Sequence, residues 1–379
     1  MTVEIQGFCE PRFKALEEAF RANFEAGLEV GASVAATWKG RPVVDLWAGH
    51  RDAARTRPWE KDTIVQVRSL TKIATTLSFF MLIDRGLVDI DAPVARYWPE
   101  FAAGGKAHVT VREALTNRAG VPGFDPPITS RELADWGVAT SNLANATHWF
   151  EGRPKMLYHG ITYGLILGEI MRRVDGRKPS QFFREEIADR AHIDFQLPLR
   201  SESDLKRSAE IVFTQAPQGE HPDPLVRRLG QSIRTSDPDE MKTWEFLRHF
   251  EEPSAGGYSN GRALARMGAI AALGGTLDGI RYFSPKLSEL AATEQAYEYD
   301  NYLASKVSMG LGCFGLASAK FQLPPPRSFH WGGAGGSLAM MDATTQLSFG
   351  YAMNRFMGVH GDARQLRFWD ALRAVSADL

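Results

Sequence analysis

Ser69-Leu70-Thr71-Lys72, followed at once by Ile73-Ala74-Thr75-Thr76-Leu77-Ser78-Phe79-Phe80-Met81-Leu82-Ile83, pairs a hydroxyl and an amine with a long apolar run. On a segment that is helical from its first turn, residues three apart share a face, so the two side chains are expected to touch as a nucleophile beside its base. The first turn of a helix carries unpaired N–H groups and a partial positive charge. Such an end stabilises a developing oxyanion and disfavours a protonated Lys72. Burial against the apolar run lowers the amine further, and that environment separates a base from an ordinary cation, whose pKa is about 10.4.

The same spacing recurs at Ser203-Asp204-Leu205-Lys206, inside the charge run at 200–207 with no apolar face, and reads as solvated surface. The 379 residues are 44% hydrophobic and 23% charged with a net charge of −1, enough for a large core in one or two associated domains. That balance implies no polyelectrolyte partner and no nucleic acid. The stretch Met1-Thr2-Val3-Glu4-Ile5-Gln6-Gly7-Phe8-Cys9 lacks the basic start and apolar core of a secretory signal, and no run reaches membrane-spanning length, so a cytosolic protein without a membrane partner is expected. Cys9 and Cys313 are too few for a disulfide framework or a thiol cluster, and the nine histidines show no ligand spacing, so no metal site is expected.

Periodicity predicts a helix over 12–29, a hairpin from strands at 32–38 and 42–47, a helix beginning near Ser69, and helices around 112–116, 130–145, 162–173 and 179–190. After a polar segment at 214–253, a helix over 261–273, strands at 307–316, 337–342 and 346–353, and a helix over 362–374 follow. Strands near both ends with helices between them imply that the two ends build one sheet. The expected organisation is a discontinuous α/β sheet domain from 1–85 and 254–379, a mainly helical domain from 86–253, and a site in the cleft between them.

Gly310-Leu311-Gly312-Cys313-Phe314-Gly315 has dinucleotide-binding spacing but lies within a strand-like run, with His330-Trp331-Gly332 where the acid belongs, so no nucleotide is expected. No Gly-x-Ser-x-Gly elbow occurs. Tyr158-His159-Gly160 stands at the entrance of a helix, where a phenol can reach a cleft and relay a proton. Trp331-Gly332-Gly333-Ala334-Gly335-Gly336-Ser337 reads as a glycine-rich strand start that opens a backbone edge to a substrate, or as a tight turn between strands. Phe124, Trp136, Trp149 and Phe150 read as cleft lining or plain core.

In this order, Ser69-x-x-Lys72, Tyr158 and Trp331-Gly332-Gly333 resemble the three active-site elements of the serine β-lactamase and penicillin-binding-protein superfamily. The nearest resemblance is to the family VIII carboxylesterases, relatives of class C β-lactamases, over nearly the whole chain. It is supported at 87–99, at 111–121 and at Gly256-Gly257-Tyr258-Ser259-Asn260. The resemblance implies an α+β, β-lactamase-like fold: a mostly antiparallel sheet flanked by helices, plus an all-helical domain. It implies Ser69 as acylated nucleophile, Lys72 as base, Tyr158 as proton relay, the N–H groups of Ser69 and Ala334 as oxyanion hole, Trp331, Gly332 and Gly333 as substrate-binding residues, and no cofactor.

Class C lactamases carry Tyr-x-Asn and Lys-Thr-Gly where this chain has Tyr158-His159-Gly160 and Trp331-Gly332-Gly333. The missing amide and the missing cation weaken recognition of a β-lactam and cost an uncharged ester nothing. The expectation is therefore a serine carboxylesterase for small uncharged esters. A weak β-lactamase or D-alanyl-D-alanine peptidase is the alternative, and a non-catalytic binding scaffold is the alternative from another class.

Overall fold

The computed structural model describes residues 3–214, 221–317, 323, 327–358 and 362–379. Among them nine strands form one sheet: β1 (Gln6–Cys9), β2 (Gly31–Trp38), β3 (Arg41–Gly49), β4 (Ala296–Asp300), β5 (Ser305–Gly310), β6 (Phe314–Gly315), β7 (Ser328–Gly332), β8 (Leu338–Asp342) and β9 (Leu347–Met353). They pair antiparallel throughout in the order β1-β3-β2-β9-β8-β7-β6-β5-β4. The seam between the two ends of the chain is the β2–β9 ladder, in which Val34 faces Tyr351 and Ala36 faces Phe349.

Both central strands are buried along nearly their whole length, because helices cover both faces of the sheet. On one face α1 (Lys14–Glu25) and the C-terminal helix (Ala363–Ala377) bring Leu16, Phe20, Phe368 and Leu372 against Val34, Leu46 and Phe349. On the other face lies the helix Gly261–Ala272, which approaches so closely that a Cβ on Gly350 would stand 2.4 Å from the Gly261 carbonyl oxygen. Behind it runs α2 (Thr71–Asp84), buried from Thr71 to Leu82 all round its circumference, as a helix apolar on every side must be. Helices and loops of the middle of the chain, including α3 (Thr162–Asp175), pack on α2 and share its core.

Three local expectations are corrected. The strand read over 307–316 is a hairpin: Gly312 at φ +92° and Cys313 at φ +64° reverse the chain, and Met309 pairs with Gly315. The glycine run after Trp331 ends β7 and turns into β8, so it is a turn between strands rather than a strand start. The first helix is shorter than 12–29, because a 3-10 turn (Pro11–Phe13) precedes α1 and α1 ends at Glu25. Among the described residues no helix is long and apolar enough to cross a membrane.

Candidate active site

Ser69 lies in a 3-10 turn (Arg68–Leu70) that feeds α2, and Arg68 just before it holds φ +53°, a left-handed conformation rare for a side-chain-bearing residue. The Tyr158 phenol donates to Ser69 Oγ at 2.6 Å. Lys72, one turn into α2, is buried, and its Nζ donates to the carbonyl oxygens of Gly160 at 2.6 Å and Ser254 at 3.2 Å. The same nitrogen lies 4.8 Å from the centre of the Tyr158 ring. Among the described hydrogen bonds none joins Ser69 to Lys72; both approach Tyr158, Ser69 at its hydroxyl and Lys72 over its ring. Two backbone carbonyls take the hydrogen bonds of the amine.

Burial pulls the Lys72 pKa below the ordinary lysine value, with Cys313 and Glu252 working the other way. Burial raises the Tyr158 pKa well above that of a free phenol, and the bond to Ser69 offsets part of the rise. The amine is therefore biased toward its neutral form and the phenol rests protonated, aimed at the serine.

Several residues without charge of their own in this chemistry hold those groups in place. Asn117, buried and at φ +58°, accepts the Leu157 N–H on its backbone carbonyl at 3.2 Å and the His159 N–H on Oδ1 at 3.1 Å, bracketing Tyr158 on both sides. Its Nδ2 donates to Cys313 Sγ at 3.0 Å. The Ser254 hydroxyl donates to the Ile161 carbonyl at 2.6 Å and accepts the Gly164 N–H at 2.7 Å, which fixes the loops that carry both lysine acceptors. His159 itself is buried, its Nδ1 2.7 Å from the Leu157 carbonyl, and burial lowers its pKa to about 3.

The turn from Gly333 to Ser337 docks on the segment just before Ser69. A Cβ on Gly333 would stand 2.4 Å from the Val67 carbonyl oxygen, and the Ser337 hydroxyl donates to that same oxygen at 3.1 Å. The N–H groups of Gly333, Gly335 and Gly336 are engaged by the Ser337, Gly358 and Gly333 carbonyls, while Ala334 faces the cavity. Arg364, fully buried, donates to the Gly335 carbonyl at 2.5 Å and to Asp362 and Glu29 at 2.6 and 3.1 Å.

Ser69, Tyr158 and Ala334 open into one cavity of about 730 Å³, walled by Phe124, Ile161, Phe213, Val226, Ile233 and Phe356 among others. Trp331, Gly332 and Gly333 are not part of that wall. The Trp331 ring packs 5.6 Å from the Tyr158 ring, centre to centre, and so backs the phenol. Of the four aromatics expected as lining or core, only Phe124 reaches the cavity. Ser203 and Lys206 are exposed, as a surface reading requires. Asn117, Ser254 and Arg364 were given no role from the sequence, and only Asn117 falls within a stretch that carries the family resemblance, 111–121.

The sequence matches the beta-lactamase family over residues 20–372. It is 32% identical to the esterase/beta-lactamase LipL of Mycobacterium tuberculosis over 93% of this chain and 83% of that protein. The fold is similar to the crystal structure of a family VIII carboxylesterase, with a TM-score of 0.88 and 35% identity over 98% of this chain and 100% of the other. A penicillin-binding-protein homologue from Caulobacter crescentus is similar to the same degree, with TM-score 0.88 and 35% identity over 99% of this chain and 100% of the other.

Proposed function

The chain belongs to the beta-lactamase family, and from that membership and the geometry of the cavity we propose a serine carboxylesterase that cleaves small carboxylic esters through an acyl-enzyme. The observation that carries this reading is the 2.6 Å bond from the Tyr158 phenol to Ser69 Oγ, with Lys72 buried against the same ring. Ser69 Oγ attacks the ester carbonyl as its proton passes to the Tyr158–Lys72 pair. The oxyanion takes hydrogen bonds from the Ser69 and Ala334 N–H groups. Collapse of the tetrahedral intermediate expels an alkoxide, to which Tyr158 passes a proton. Water then attacks the acyl group, Tyr158 and Lys72 take its proton, and Ser69 is released.

The apolar wall suits acyl and alcohol groups that are uncharged where they meet it. A short-chain 4-nitrophenyl ester is expected to be hydrolysed, with a burst where deacylation is slow, and Ser69→Ala is expected to reduce turnover to background. Turnover retained in that variant would overturn the proposal. The relative described as an esterase/beta-lactamase favours a second activity on β-lactams, read by nitrocefin hydrolysis. The missing cation at Trp331 and the missing amide at Gly160 predict a rate far below that on esters.

A further inference from the structure

Arg68 lines the same cavity as Ser69, immediately before it in sequence. Its backbone sits in a conformation that glycine adopts freely and that costs any residue with a Cβ. Its Nε is enclosed without a hydrogen-bond partner, and no carboxylate among the described residues pairs with its guanidinium, whose charged neighbourhood holds the Tyr258 phenol alone. The Nε atoms of Arg51 and Arg118 are enclosed without a hydrogen bond as well, but Arg51 donates through Nη1 to the Lys206 carbonyl and Arg118 stands 2.8 Å from a Glu298 carboxylate oxygen, whereas Arg68 has neither. The cavity wall around it carries Arg227 and His221 and, among the described residues, no Asp or Glu. A guanidinium stays charged at any physiological pH, and a partly desolvated charge without an acceptor is unfavourable until one arrives.

We propose that Arg68 is a specificity-determining residue that receives a carboxylate carried by the substrate, so that preferred substrates are esters bearing a free acid group. The inference rests on the esterase reading and amends the wholly uncharged ester expected from the missing strand lysine: the cation absent beside Gly332 is supplied one residue before the nucleophile. A planar two-pronged donor in the cavity that Ser69 lines fixes the ester by its carboxylate, while the apolar wall takes the remainder.

The test compares anionic with neutral esters of matched size. One pair, 4-nitrophenyl hemiglutarate against 4-nitrophenyl valerate, places the acid in the acyl portion. The other, 4-acetoxybenzoate against its methyl ester, places it in the alcohol portion. Variants are Arg68→Gln and Arg68→Gly, the second chosen because glycine fits the left-handed backbone and keeps the fold. In at least one pair the ratio of anionic to neutral kcat/KM should fall by about tenfold or more in both variants, mainly through KM, and the wild-type preference should shrink as salt rises. Ratios within twofold of wild type in both pairs would overturn the inference. Valerate hydrolysis lost in Ser69→Ala tests the esterase reading by itself, so the two ideas can fail separately.

Discussion

Lys72 donates to two backbone carbonyls, and a neutral amine has two N–H groups to give, which leaves its lone pair uncommitted. Burial favours that neutral form. If Lys72 is the base, as proposed, the base is present at and above a pKa depressed below the ordinary 10.5 of the group, and activity is expected to rise with pH through a limb lying below that value. A kcat/KM profile placing the rising limb at 10.5 or above would contradict this assignment of the base. Tyr158→Phe keeps the ring against Trp331 and removes only the oxygen bound to Ser69, so kcat should fall by roughly a hundredfold or more with little loss of thermal stability. Asn117→Gly tolerates the φ of +58° but deletes the clamp on His159 and Cys313; kcat should drop while KM moves little, and an unchanged kcat would mean that the Tyr158 loop holds itself.

Secondary elements differ in how much of their role the sequence carries. The run after Ser69 is apolar on all sides, so a buried helix over α2 was legible from composition alone, and the hairpin of β2 and β3 followed from Lys39-Gly40 between two apolar runs. The hairpin of β5 and β6 was not, because its turn needs a left-handed Cys313, which no local preference announces. The side that Trp331 presents was equally illegible: an aromatic beside two glycines reads as a site wall until the register of β7 with β8 turns it toward Tyr158. The turn after β7 depends on a distant element, since Arg364 at the start of the C-terminal helix ties the Gly335 carbonyl to Glu29 and Asp362. Arg364→Met leaves two buried acids unpaired, and is expected to destabilise the protein by about 3–5 kcal/mol and to lower kcat through Ala334. A denaturation midpoint equal to wild type would contradict that role.

The whole molecule is a sheet closed by the two ends of the chain, and this much was legible because strand patterns stood near both termini. Which residues meet in the cavity was only partly so: Ser69 and Tyr158 were placed by their motifs, whereas Arg68 and Asn117 depend on contacts and backbone angles that exist only in the assembled fold. Acid should act on the assembly through its buried histidines. Burial lowers His159 to about 3 and His330 to about 4. Below the ordinary value of 6.5 the unfolded chain takes up protons that the folded one refuses, so stability falls as pH falls, by about 1.4 kcal/mol per pH unit for each ring, until the buried rings protonate. Urea midpoints between pH 7 and 5 should show a shallower slope for His330→Gln than for wild type; equal slopes would exclude His330 as a contributor. Ser69 Oγ is the proposed site of acylation, on which every other proposed role depends. Mass mapping after treatment of the intact protein with a fluorophosphonate should place a single adduct on the peptide containing Ser69, absent in Ser69→Ala, and an adduct elsewhere or none at all would contradict it.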